Sequence, residues 1–211
     1  TPDKKYPIIS NVYPGPQADQ IPRAFAIDDN GNQSLAELGF VVINIQPRGS
    51  SPIRDKSFYT FGYGNLRDYA VADDKHTIER LAARYPFIDI TRVGIYGHSG
   101  GGAETVTAML TYPEFYKVGV ASSGNHDNNI YIQWWAETYH GLRKVPTNME
   151  LAGKLKGKLL LISGDVDDNV PYASTLRMAD ALIKAGKRFD MFIFPGMDHS
   201  VYGHYYDNMI R

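Results

Sequence analysis

Arg92-Val93-Gly94-Ile95-Tyr96-Gly97-His98-Ser99-Gly100-Gly101-Gly102 decides the fold of this chain. A short apolar run reads as a buried strand and enters a Gly-x-Ser-x-Gly turn. Ala103-Glu104-Thr105-Val106-Thr107-Ala108-Met109-Leu110 follows and reads as a helix. Strand, sharp turn and helix are the context in which Gly-x-Ser-x-Gly lifts a serine hydroxyl above the carboxyl end of a sheet. A turn this tight needs neighbours almost free of side chains, and Gly97, Gly100 and Gly101 are expected to supply that freedom. Ser99 is therefore the candidate nucleophile. The bland alternative is a glycine-rich strand–helix turn holding an incidental serine.

Outward from the turn, short apolar runs alternate with helical patterns. Tyr6 to Tyr13 reads as a strand stopped by Pro14-Gly15-Pro16, and Gly39 to Gln46 as another stopped by Pro47-Arg48-Gly49-Ser50. Between them residues 17–34 are polar and read mostly as loop, with Leu35 to Leu38 ending a short helix. A loop to Asn65 precedes a helix from Leu66 to Tyr85, whose apolar face is expected to hold Tyr69, Ala72, His76 and Leu81, with Asp and Lys opposite. Further strands are expected over Lys117–Ser123, Lys158–Ser163 and Arg188–Phe194. A helix from Pro171 to Ala185 is capped by Gly186. Residues 124–141 form a polar, then aromatic, insert. Near-continuous apolar strands alternating with helices indicate a mostly parallel central sheet with helices on both faces.

The bulk numbers narrow the classes. The chain has 211 residues, 43% hydrophobic and 21% charged, enough for one full core. A net charge of -1 leaves no nucleic-acid footprint and no basic membrane face. No apolar run reaches transmembrane length, and no stretch of these 211 residues reads as a signal peptide. Thr1-Pro2-Asp3-Lys4-Lys5 reads as a loop inside a longer protein. With no cysteine there are no disulfides and no thiolate metal sites. No cofactor is called for.

In a parallel sheet, functional loops gather at the carboxyl ends of the strands. Three chemistry-bearing residues follow predicted strands: Ser99, Asp167 and His199. A serine hydroxyl needs a base to take its proton as it attacks, imidazole suits that task, and a carboxylate on the far ring nitrogen fixes the tautomer. The order serine, acid, histidine is the chain order of the α/β-hydrolase fold. Each residue has a plainer reading. Asp167 lies in a run with Asp165, Asp168 and Asn169 that could bind calcium, though it lacks the glycine and distal glutamate of an EF-hand loop. His199 could simply bond backbone. His76, His98, His126, His140 and His204 keep structural readings, His98 as an exposed residue beside the nucleophile. The oxyanion needs preset donors. The Gly100 N–H is one, and the Tyr13 hydroxyl, at the end of the first strand, is a candidate for the second.

These segments resemble the catalytic domain of the prolyl oligopeptidase family of serine peptidases, on the dipeptidyl peptidase IV branch. The resemblance is carried by Lys5-Tyr6-Pro7, Val12-Tyr13-Pro14-Gly15-Pro16, Arg48-Gly49-Ser50, Gly97 to Gly101, Leu160 to Val170, and Asp198-His199. Glu137-Thr138-Tyr139-His140-Gly141 adds a segment like one lining the family's cleft. It implies Ser99, Asp167 and His199 as the triad, with Tyr13 and Gly100 as oxyanion donors. It places Tyr131, Trp135 and Val170 in an apolar specificity pocket and Asn169 against substrate backbone. The implied substrate is a peptide cleaved after Pro or Ala. The implied partners are a β-propeller domain outside this chain and a second copy in a homodimer, in a secreted or periplasmic setting, with the cytoplasm left open. Two residues depart from the branch. Gly100 stands where it usually has a tyrosine and Asn128 where it has a tryptophan, so a wider pocket is expected. Residues 17–34 and 143–157 look short for the family and the closing helix stops at Arg211, so 1–211 reads as a fragment carrying the peptidase domain. An esterase or deacylase using the same triad, or a binding domain with an inert triad, remain the alternative readings.

Overall fold

The computed structural model describes residues 4–16, 18–19, 21, 24–25 and 31–200. Much of the expected 17–34 loop, His204 and the closing helix lie outside the described residues. Six strands form one parallel sheet in the order β2-β1-β3-β4-β5-β6. They are β1 (Tyr6–Asn11), β2 (Val41–Asn44), β3 (Ile88–His98), β4 (Tyr116–Ser122), β5 (Lys158–Gly164) and β6 (Asp190–Phe194). The helices are α1 (Asn32–Glu37), α2 (Lys56–Tyr59), α3 (Val71–Arg84), α4 (Gly100–Thr111), α5 (Gln133–Trp135) and α6 (Ala173–Lys184). A π-helical turn over Ala136–His140 continues α5, and a 3₁₀ turn spans Ala152–Lys154.

The strand order reverses between β1 and β3. The chain runs β1 to β2 in one direction, then returns past β1 to lay down β3 and everything after it. In open parallel sheets, ligands bind outside the carboxyl ends of the strands at such a reversal. Here those ends deliver Tyr13 after β1 and Ser99 after β3. The crevice is held narrow by a backbone bond from Val12 N–H to the Tyr96 carbonyl at 2.9 Å.

The core explains the strands. Ile8, Val93, Ile95, Tyr116, Ala121, Leu159 and Leu161 alternate inward along the sheet, and Val106, Ala108, Met109 and Leu110 of α4 pack onto them. Helix α4 is buried from Gly101 to Leu110, so its small residues reflect close approach to the sheet.

Two helical expectations need correction. The helix expected from Leu66 begins at Val71, because the Leu66 N–H donates to His140 Nδ1 at 3.2 Å instead of entering a helical ladder. Leu66, Tyr69 and Ala70 form a second small core with Trp135 and Tyr139. The buried face of α3 is also not the expected one. Val71, Asp74 and Ile78 point inward, whereas Ala72 and His76 are exposed. Counting Asp74 as polar hid the true stripe. It is buried because the Ser10 hydroxyl donates to its Oδ1 at 2.5 Å and the Tyr116 hydroxyl to its Oδ2 at 2.8 Å. No helix among the described residues is long and apolar enough to cross a membrane.

Candidate active site

The turn after β3 has the expected shape. Ser99 adopts φ 57 and ψ -120, a strained conformation for a side-chain-bearing residue. It is locked there by its N–H on the Ser122 carbonyl at 2.8 Å, and its own carbonyl accepts from Ala103 N–H at 3.0 Å. A Cβ on Gly97 or Gly101 would lie 2.5 or 2.0 Å from the Val12 carbonyl, and one on Gly102 would lie 2.3 Å from the Ser122 carbonyl. Gly100 is different, and here the expectation is corrected. Its nearest neighbours are Tyr13 ring atoms at 4.0 Å, ordinary contact distance. The turn requires Gly97, Gly101 and Gly102 but not Gly100, because the first residue of α4 faces the crevice rather than the sheet.

The loops after β5 and β6 fold onto each other. A Cβ on Gly164, at the end of β5, would lie 2.1 Å from the Met197 carbonyl. Val166 N–H reaches that carbonyl at 3.1 Å, and Gly196 N–H donates to Asp165 Oδ1 at 2.6 Å. This clasp presents Asp167 to His199. Asp167 Oδ2 lies 2.8 Å from His199 Nδ1. Its other oxygen accepts the N–H groups of Asn169 at 3.0 Å and Val170 at 2.8 Å. The Asp167 side chain is fully buried, while that of His199 keeps 20% of its surface exposed. An acceptor fixed on three sides holds Nδ1 protonated and leaves Nε2 as the free lone pair.

The His199 ring packs on that of His98, centroids 4.6 Å apart, so it stands against the residue that precedes Ser99. No hydrogen bond joins the Ser99 hydroxyl to His199 among the described residues. His98 is therefore more than the exposed neighbour expected from sequence. It is half-buried, its Nδ1 lies 3.0 Å from Ser122 Oγ, and burial and the adjacent His199 lower its pKa to about 4.

Tyr13 lies across Gly100, and on its other side a Cβ on Gly15 would meet its ring at 2.6 Å. Of the expected pocket residues, Trp135 lines an apolar cleft together with Pro14, Leu66, Tyr69, Gly100 and Asn128. Tyr131 meets Trp135 edge-on, centroids 5.2 Å apart, and its hydroxyl donates to Asn169 Oδ1 at 2.8 Å. Val170 is buried, its N–H committed to Asp167. Asn128 is pinned, with Nδ2 donating to the Leu66 carbonyl at 3.1 Å and Oδ1 accepting from Asn125. Among the described residues no three His, Cys, Asp or Glu side chains group as a metal site would require.

The sequence reading passed over Glu104. It lines the same cleft, is 3% exposed, and its Oε1 has no hydrogen-bond partner. Burial, then Asp74 and Asp68, push its carboxyl well above the ordinary range, against a smaller pull from Arg67. The one available signal was a carboxylate inside an otherwise small and apolar helix.

Comparison with known proteins identifies the family and its fold. The prolyl oligopeptidase family profile matches residues 27–210. Human dipeptidyl peptidase 8 is 32% identical over 211 residues, covering 95% of this chain and 23% of that protein. A probable dipeptidyl-aminopeptidase B of Talaromyces marneffei is 30% identical over 99% of this chain and 24% of its own length. Among solved structures, a Bacteroides ovatus protein described as a dipeptidyl aminopeptidase IV superposes with a TM-score of 0.92 at 32% identity, covering 100% of this chain and 31% of that one. Porphyromonas gingivalis dipeptidyl peptidase 4 superposes with a TM-score of 0.90 at 28% identity, over 99% of this chain and 31% of its own. The chain thus spans about a quarter of the length of the curated relatives it matches. On the profile match, the α/β-hydrolase sheet and these relatives together, the chain belongs to the prolyl oligopeptidase family.

Proposed function

We propose that this chain is the catalytic domain of a serine peptidase that releases dipeptides from peptide N-termini through an acyl-enzyme. The observation that carries the reading is the contact of His199 Nδ1 with buried Asp167 at 2.8 Å, beside the strained turn that presents Ser99. In this reading His199 Nε2 takes the Ser99 proton as the hydroxyl attacks the scissile carbonyl, and later returns it to the leaving amine. Asp167 keeps the imidazole in the right tautomer and stabilises the imidazolium. The Gly100 N–H and the Tyr13 hydroxyl receive the oxyanion. Trp135, with Tyr131 edge-on to it, forms the pocket wall, and Asn169 is held to Tyr131 through its side-chain oxygen, with Val170 buried beside it. The names of the relatives support release of dipeptides, and compact residues such as Pro or Ala fit an aromatic-walled slot with no charge to desolvate.

The relatives' greater length supports a further domain, read as a β-propeller gating the crevice, in the full protein. The test uses that full-length protein. A fluorophosphonate probe is expected to label Ser99, and Ser99→Ala to abolish labelling. Equal labelling of Ser99→Ala would overturn the nucleophile. Ala-Pro and Gly-Pro anilides are expected to turn over at least as well as short-chain nitrophenyl esters, and turnover of esters alone would assign the same triad to an esterase.

A further inference from the structure

The cleft beside Ser99 has an apolar wall and a polar floor, and the floor is not accounted for by a proline slot. Gly100 and Glu104 are four residues apart on α4, so they share one helix face, just over one turn or about 6 Å apart along the axis. Gly100 lies at the crevice mouth next to the nucleophile, and Glu104 one turn deeper. Between them there is no side chain from position 100 to fill the slot. Ala103 is small, and Leu66, Tyr69 and Trp135 provide apolar walls.

At the bottom a 3% exposed carboxyl offers an oxygen with no partner, and Asn125 and Asn128 stand at its side. A buried acceptor left unpaired is costly, and such atoms are ordinarily matched by a ligand or solvent. The charged and titratable groups facing Glu104 are Asp68 and Tyr69 before α3, Asp74 on α3, Arg67, and Tyr116 on β4. Arg67 already contacts Asp68, and Asp74 holds Ser10 and Tyr116. Arg67 Nε and Nη1 are themselves buried without a hydrogen-bond partner, so the floor has no acidic surplus, and what it leaves open to a donor is the unpaired oxygen of Glu104.

We propose that Glu104 is a specificity residue, and that the cleft takes, besides compact residues, a substrate with a lysine-type cationic side chain on the residue whose carbonyl Ser99 attacks. The stem lies along Leu66, Tyr69 and Trp135, and the ammonium donates to the Glu104 carboxylate and the Asn side-chain oxygens. Glu104 releases its proton to solvent as the cation enters, which removes the unpaired acceptor and the cost of an isolated buried charge together. This inference rests on the serine peptidase reading above.

The experiment compares dipeptidyl aminocoumarins ending in lysine and in norleucine, its uncharged counterpart, on the full-length protein. The expected result is a kcat/KM ratio of tenfold or more in favour of lysine, because a site built around a hydrogen-bonding group rejects the analogue lacking it. In Glu104→Gln the ratio is expected to fall towards one, with probe labelling of Ser99 reporting that the variant is folded. A ratio near one in the native protein overturns the proposal without any variant. A ratio unchanged in Glu104→Gln also overturns it, because the selectivity then does not come from Glu104. Absence of Ser99 labelling in the native protein is a separate outcome. It sinks the peptidase reading, and this inference with it.

Discussion

At the scale of single residues, the turn at Ser99 separates two kinds of glycine that a motif writes alike. Gly101 fills a space in which a Cβ would lie 2.0 Å from the Val12 carbonyl, a backbone atom fixed by the β1–β3 pairing. Gly100 looks into the crevice with 4.0 Å to spare. Gly101→Ala is therefore expected to cost at least about 4 kcal/mol or to prevent folding, as forced backbone displacement in a core does. Gly100→Ala is expected to leave stability unchanged or slightly raised, because alanine is up to about 1 kcal/mol better than glycine in a helix. Thermal unfolding of the two variants side by side decides the point. Equal losses would show that the whole turn, not its sheet-facing side, is tight. The motif Gly-x-Ser-x-Gly identified Ser99, yet residue identity alone carries no approach distances, and so Gly100 was misread as a steric need.

At the scale of elements, Asp74 ties three of them together. It sits on α3 and accepts from Ser10 on β1 and Tyr116 on β4. Asp74→Ala would leave two buried hydroxyls unpaired at about 1–3 kcal/mol each. The expected loss is about 2–5 kcal/mol, read as a lower urea midpoint, and Asp74→Asn should recover part of it by keeping one acceptor. An alanine variant as stable as the native protein would show that the two hydroxyls find other partners. The same aspartate marks the limit of what the pattern made legible. Strands β1 to β6 could be read to within a few residues because a buried parallel strand writes itself as a continuous apolar run. Ser99, Asp167 and His199 could be placed because each follows such a run. The inward face of α3 could not, because its polar member is paid for by hydroxyls distant in sequence. The floor of the cleft was illegible for the same reason, since one glutamate in a helix has no period.

At the scale of the whole molecule, stability over pH is set by buried groups whose pKa values burial shifts. His126 has no bonded ring nitrogen, and burial lowers its pKa to about 4. His98 is lowered to about 4 by burial and His199. For both, the unfolded chain binds more protons between about pH 6.5 and 4, so stability falls as pH falls through that window. Glu104 and Asp74 act in the opposite direction. Burial raises their folded pKa values above the unfolded ones, so their contribution is complete below the unfolded carboxylate range and is lost as pH rises from there. Glu104→Gln keeps the shape and removes the titration. Its unfolding temperature is expected to match that of the native protein near pH 4 and to exceed it increasingly towards pH 8, by about 2–4 °C for each kcal/mol recovered. The acid-side decline caused by His98 and His126 should persist in the variant. Thermal unfolding of both proteins from pH 4 to pH 8 measures the gap. A gap that is constant with pH would mean that folding does not raise the Glu104 pKa, and a gap that reverses would mean that Glu104 is ionised and paired in the folded protein. A gap that widens with pH places a neutral carboxyl beneath Gly100, ready to ionise when a cation reaches it.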